Sequence, residues 1–104
     1  MIRIERVHYV ELSNKARRAL ENQGPAKYHI SIDVDVFILS VVIDLWWTGF
    51  EMTKGGTHPQ SGEMENIVLV KYSSCVEGFA IINENCIEEE TDFDPKKLEE
   101  LING

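Results

Sequence analysis

The sequence predicts an α+β domain: a mostly antiparallel β-sheet of about five or six strands with two short helices packed on one face. Three observations lead there. Residues 28–50 (YHISIDVDVFILSVVIDLWWTGF) are the most apolar and most β-branched part of the chain, and β-branched residues favour strands. Two helical segments, one after a first short strand and one at the end of the chain, are each marked by start or stop residues. The connections between elements are short enough for hairpins, which makes neighbouring strands antiparallel. A chain of 104 residues is expected to be one domain, 1–104, burying about two-thirds of its extended surface.

Taken in order, residues 2–10 (IRIERVHYV) carry apolar Ile2, Ile4, Val7 and Tyr9 in rough alternation and read as a first strand. Residues 13–22 read as a helix with Ser13 as N-cap and a stripe of Leu12, Ala16, Ala19, Leu20 and Gln23. Gly24-Pro25 ends it. Lys15, Arg17 and Arg18 then fall in its first turns, where the helix dipole disfavours cations. That mismatch suggests an acidic neighbour, such as the C-terminal segment.

In the central stretch, Tyr28, Ile30, Ile32, Val34 and Val36 alternate with His29, Ser31, Asp33 and Asp35, the pattern of a half-buried strand. Residues 37–47 are almost continuously apolar, interrupted by Ser40 and Asp44, which suits a strand covered on both faces with a buried helix as competitor; β-branching at Val36, Ile38, Val41, Val42 and Ile43 favours the strand. One uninterrupted strand over 28–50 would reach roughly 75 Å at about 3.3 Å per residue, too long for this domain. A reversal is expected near residues 33–35, or else a bulge that bends a long strand. The apolar run is shorter than the ~20 residues of a membrane span and contains Asp44.

Residues 53–66 (TKGGTHPQSGEMEN) have no periodicity and read as a long connection, of the length that is often functional. Residues 67–72 (IVLVKY) are a strand, 73–78 a turn, and 79–83 with 86–90 a hairpin around Glu84-Asn85. A helix over 74–86 competes, since Cys75, Phe79, Ile82 and Cys86 share helical spacing, but Gly78 in its middle costs that reading about 1 kcal/mol. Asp94 as cap and Pro95 at the first helical position open the last helix, with Leu98, Leu101 and Ile102 as its apolar stripe.

The net charge of −8 is unevenly spread. Residues 1–27 hold six Lys/Arg and three Glu, for +3; residues 28–83 two Lys and seven acids, for −5; residues 84–104 two Lys and eight acids, for −6. Such a chain repels nucleic acid directly, through the phosphate charge, and attracts basic proteins. Met1 is followed by Ile-Arg-Ile-Glu with no apolar leader, so a cytoplasmic location is expected. The two cysteines, Cys75 and Cys86, are then expected to be reduced and buried.

Several clusters compete as sites. His8, His29, His58, Cys75 and Cys86 show no paired ligand spacing, so no metal or other cofactor is expected. His29, Ser31, Asp33 and Asp35 would share one strand face and could serve a small ligand- or metal-binding enzyme. Nothing near either thiol lowers its pKa for nucleophilic work. Gly55-Gly56-Thr57-His58 lacks the Lys-Ser/Thr of a phosphate loop.

Trp46 and Trp47, adjacent in a strand, must face opposite ways, which leaves one of them as a candidate anchor for a partner. Glu88, Glu89, Glu90, Asp92 and Asp94 form an acidic strip. Together these features predict a non-enzymatic binding protein without a catalytic residue. Trp46, Trp47, His58, Glu88, Glu89, Glu90 and Asp92 would contact the basic surface of a nuclease or other nucleic-acid-handling protein. A bacterial or phage inhibitor, of the immunity or counter-defence type, has this general character. The rival readings are the small enzyme and a self-associating subunit, a homodimer formed by edge-to-edge strand pairing. Neither a direct nucleic-acid partner nor a membrane is expected.

Overall fold

A computed structural model describes residues 1–53 and 66–104. It shows an α+β fold with two helices and one antiparallel sheet: α1 Arg6–Gln23, β1 Ala26–Val34, β2 Phe37–Thr53, β3 Asn66–Ile82, β4 Glu88–Glu89 and α2 Pro95–Asn103. The strands lie in sequence order, β1-β2-β3-β4. Four strands therefore stand where five or six were expected, for two separate reasons.

The first expected strand, residues 2–10, is mostly the start of α1. Tyr9, Leu12, Ser13, Ala16 and Leu20 are its buried residues, a spacing of three and four that outweighs the loose alternation of residues 2–9. Val7, which broke that alternation, is exposed. Ser13 is therefore a buried residue inside the helix and not its cap. The helix starts instead at Glu5, whose N–H donates to His8 Nδ1 at 3.0 Å. At the other end the helix stops as expected, with Gly24 at φ 84° and its N–H bonded to Leu20 O at 2.9 Å.

The second reason lies in residues 73–78, which are not a turn but the middle of the 17-residue β3. Small polar residues there look like a loop locally, yet all but Glu77 pair with β2, from Trp46↔Ser73 to Val42↔Gly78. A bulge between Val42 and Ile43 absorbs the extra residue, Glu77, on the opposite strand. The helix considered for residues 74–86 does not form. The hairpin around Glu84-Asn85 does, with Asn83 Oδ1 accepting from Asn85 N at 2.9 Å and Ile87 N at 3.1 Å.

β1 and β2 are joined through Asp35 and Val36, closing the pair Val34↔Phe37. The reversal is thus within two residues of its expected place. Asp35 takes φ 55°, a left-handed conformation that Asp tolerates better than most residues. The turn also separates Asp33 from Asp35: they do not share a strand face.

Along β2, Leu39, Val41, Ile43 and Leu45 are buried, while Ile38 and Trp46 are exposed and Ser40, Val42 and Asp44 lie between. The apolar run is therefore covered on one face only. That face holds the core, with Ile30, Ile32 and Val34 of β1 and Ile81 of β3 packed under Leu12, Ala16 and Leu20 of α1 and Leu98 and Ile102 of α2. Phe93, just before α2, stacks on Tyr9 at 5.5 Å and meets Phe79 edge-on at 4.7 Å. The Tyr9 hydroxyl accepts from Asp94 N at 2.9 Å.

The short α2 begins as its sequence implies, with the Asp94 side chain accepting from Lys96 N at 3.0 Å. Its C-terminal carbonyls, which have no partner within the helix, receive the Arg17 guanidinium: Nη2 donates to Leu101 O at 2.6 Å and to Ile102 O at 3.2 Å. Arg17 does meet the C-terminal segment, but through these carbonyls and not a carboxylate. Both thiols, Cys75 and Cys86, are free and exposed, contrary to the expectation of burial. Among the described residues no helix is long and apolar enough to cross a membrane.

The one-sided core makes neighbouring β2 positions unequal. Leu39→Ala is expected to cost about 2–5 kcal/mol, because it opens a cavity under both helices. Ile38→Ala, 44 % exposed, should cost less than about 1 kcal/mol. Urea unfolding of the two variants measures the difference.

Candidate functional site

The acidic strip is built at one outer edge of the sheet. β4 pairs with the end of β3 through Ile81↔Glu89 and Ile82↔Glu88. On its other side the N-terminal segment holds it: Ile2 N donates to Glu90 O at 2.7 Å, and Asp92 N to Ile2 O at 3.2 Å. The Thr91 hydroxyl donates to the same Ile2 oxygen at 2.9 Å. Glu84, Glu88, Glu89 and Glu90 are all exposed. The backbone beneath them is thus fixed from both sides while the carboxylates face water.

Two members of the strip have internal work as well. Glu89 Oε1 accepts from Asn83 Nδ2 at 2.9 Å. Asp92 Oδ1 accepts from Ile4 N at 2.7 Å, so one of its oxygens ties the N-terminal segment down. Among the described residues the single ion pair lies elsewhere, between Lys27 and Glu77. No cation of the described residues therefore neutralises Glu88, Glu89 or Glu90. Beside them sit Met1 and Phe79, which line the same shallow depression as Glu88, Glu89, Glu90 and Thr91. Phe79 is 39 % exposed and rests on buried Phe93, which makes it a rigid aromatic next to the charge. No local signal marks Phe79 for this role: it is placed here by its register opposite Val41 and by the Phe93 ring.

Trp46 and Trp47 are not part of this surface. They pair with Ser73 and Tyr72, some eight residues along β3 from the β4 pairing, or roughly 26 Å. Both rings are partly exposed, at 42 % and 38 %, so neither is a core residue. His58 lies outside the described residues. Of the residues expected to form one partner surface, the fold thus gathers Glu88, Glu89, Glu90 and Asp92 and sets Trp46 and Trp47 apart.

The rival site disperses too. His29 and Asp33 are exposed on edge strand β1, and Asp35 is in the turn, where it faces a depression lined by Arg3, Glu5, His8 and Phe37. Among the described residues no group of three or more His, Cys, Asp or Glu is placed to hold a metal ion.

A different polar cluster occupies the open face of the sheet. Lys27 of β1 is opposite Asp44 of β2, and Lys27 Nζ lies 2.7 Å from Glu77 Oε2 of β3. A hydrogen bond with Glu77, helped by partial desolvation and the like charge, holds the Asp44 carboxyl above the ordinary Asp range. Glu77 is held below its ordinary value, first by the Lys27 hydrogen bond and then by that of Asp44. Lys27 is raised by Glu77. Glu77 thus sits between the Lys27 cation and the Asp44 carboxyl, and the three side chains meet beside the bulge. The three residues are far apart in sequence and meet only through strand register, so no local signal marks them.

A second cluster joins α1 to β3. The Tyr72 hydroxyl donates to Glu21 Oε1 at 2.8 Å, and Arg17 lies over the Tyr72 ring at 5.9 Å. The Glu21 bond is the main reason the Tyr72 phenol is held above its ordinary value. Compared with known protein families, characterised proteins and solved structures, the chain matches none.

The Asp44–Glu77 bond has a pH signature. Because the folded state holds the Asp44 proton more tightly than the unfolded chain does, that contribution is present at low pH and fades as pH rises through the folded pKa. Glu77 acts oppositely, its contribution present above the unfolded carboxylate value and lost as pH falls. Asp44→Asn keeps a donor toward Glu77 without a titrating proton. Its Tm relative to wild type is expected to rise between pH ~4 and 7, and Glu77→Gln, which leaves Lys27 unpaired, to lower Tm at pH 7. Thermal melts across that range measure both.

Proposed function

We propose that the chain is a non-enzymatic binding protein whose β4 edge occupies a basic surface on another protein. One observation carries this reading: Glu88, Glu89 and Glu90 stand exposed and without a cationic partner among the described residues, on a backbone clamped between β3 and the N-terminal segment. Charge that is fixed in place and unneutralised favours encounter with a cationic surface and sets its orientation. Phe79 supplies an aromatic beside it, a residue type that concentrates binding energy when a partner desolvates it.

Basic protein surfaces are common on proteins that handle nucleic acid, since they must neutralise phosphates. An acidic edge of fixed geometry competes for the same surface, and an inhibitor of such a protein is the class this reading favours. Bacterial or phage antagonists of nucleases would use the same electrostatics.

The immobilised chain is expected to retain basic proteins from a lysate at about 0.15 M salt and release them by about 0.5 M, as screening shortens the reach of the carboxylates. Glu88→Lys/Glu89→Lys/Glu90→Lys should abolish capture, and Phe79→Ala should weaken it with a smaller change in salt dependence. Captured proteins are then tested for nucleic-acid binding or cleavage with and without the chain. Capture indifferent to ionic strength, or unchanged by the triple substitution, rules the reading out.

A further inference from the structure

Between the start of α1 and the outer face of α2 runs a groove of about 370 Å³, lined by Ile4, Arg6, Tyr9, Lys97, Glu100 and Leu101. Small-molecule sites span roughly 300–1,000 Å³, so the groove is large enough for one. Ile4 and Tyr9 are buried and Leu101 is half-buried, while Arg6, Lys97 and Glu100 are exposed. The lining is thus an apolar floor with three charged groups around it.

That floor is fixed by residues outside the groove. Ile4 N donates to Asp92 Oδ1 at 2.7 Å. Tyr9 stacks on Phe93 at 5.5 Å, and its hydroxyl accepts from Asp94 N at 2.9 Å. Leu101 O accepts from Arg17 Nη2 at 2.6 Å. A ligand entering here meets a preformed surface and has little protein to order, which favours binding.

The cations are where the fold gains nothing from them. Arg6 is the first residue of α1 and Lys97 lies in the first turn of α2, the ends at which the helix dipole disfavours a positive charge. No acidic residue follows the cap in either first turn. Among the described residues the single ion pair is Lys27–Glu77, so neither Arg6 nor Lys97 is within ion-pair distance of a carboxylate. Eighteen Asp and Glu against ten Lys and Arg make carboxylates plentiful in this chain, yet none pairs with these two cations. The Tyr9 hydroxyl adds a donor: among the described residues its own proton has no acceptor, and Tyr9 is only 5 % exposed. Glu100 leaves the groove with one net positive charge, which favours a monoanion over phosphate or another polyanion.

We propose that this groove binds a small organic monocarboxylate with an apolar body. The carboxylate is taken between Arg6 and Lys97, and the hydrocarbon lies on Ile4, the Tyr9 ring and Leu101. Bound there, the anion neutralises both cations and links α1 to α2. The site shares no residue with the β4 edge and stands whether or not that edge binds a basic protein.

Titration of the ¹⁵N-labelled full chain with octanoate up to ~5 mM, followed by amide shifts and thermal melts, tests this. Octanoate should shift amides of residues 4–9 and 94–101 saturably and raise Tm. 1-Octanol, the same body without the charge, and inorganic phosphate, charge without the body, should each bind at least about tenfold more weakly. This comparison uses the wild type alone. Arg6→Gln and Lys97→Gln should each weaken octanoate at least about fivefold. Without ligand, both variants should melt at or above the wild-type Tm, because each removes a cation from the disfavoured end of its helix. No saturable shift with octanoate, octanol or phosphate binding as tightly as octanoate, or unaltered affinity in both variants overturns the proposal.

Discussion

The structure depends on the register of β2. With side chains alternating between faces, that register places Leu39, Val41, Ile43 and Leu45 under the helices and leaves Ile38, Ser40, Val42, Asp44 and Trp46 on the open face. A slip of one residue would exchange the two sets and put Asp44 into the core. Two devices hold the register. The tight turn at Asp35 and Val36 sets it against β1, and the bulge opposite Val42 and Ile43 sets it against β3. The bulge also presents Glu77 to Lys27 and Asp44, so the pairing error it would otherwise represent becomes a cross-strand polar contact.

The helices complete the layer by satisfying each other. α2 is nine residues long, too short to persist alone, and each end is supplied from outside or from its own cap. Asp94 takes the first turn's donors and Arg17 the last turn's carbonyls. The cation that looked misplaced in α1 is thus favourably placed at the negative end of α2. Tyr72 and Ser74 extend the same junction to β3 through Glu21 and Asn103. At the opposite corner, Asp92 and Thr91 tie the N-terminal segment to the acidic strip, so the edge with the most charge is also the one with the most cross-chain hydrogen bonds to residues 2–4.

Where the sequence was legible, a local chemical signal decided the structure. Gly24 ended a helix, Asp94-Pro95 began one, the 28–36 alternation was a half-buried strand, and Asn83 to Ile87 made a turn. Where it misled, the deciding interaction was distant. Residues 73–78 look like a loop until β2 is laid beside them, and Ser13 looks like a cap until Leu12, Ala16 and Leu20 are seen to bury the same face. The candidate surface divides in the same way. A run of glutamates is visible as charge in any sequence, but its separation from Trp46 and Trp47, and its neighbour Phe79, are properties of register. The cluster of Lys27, Asp44 and Glu77 has no sequence signature at all.

The contact between Arg17 and the last turn of α2 spans 84 and 85 positions of the chain. Closing a loop of that size costs entropy before any contact rewards it. The final helix therefore cannot nucleate early: its hydrogen-bond partners and its apolar floor exist only once α1 and the sheet are in place. Nine residues do not hold a helix alone, so the formation of α2 is coupled to that of α1 and the sheet. Any opening that parts Arg17 from these carbonyls removes the cap and the apolar floor of α2 together.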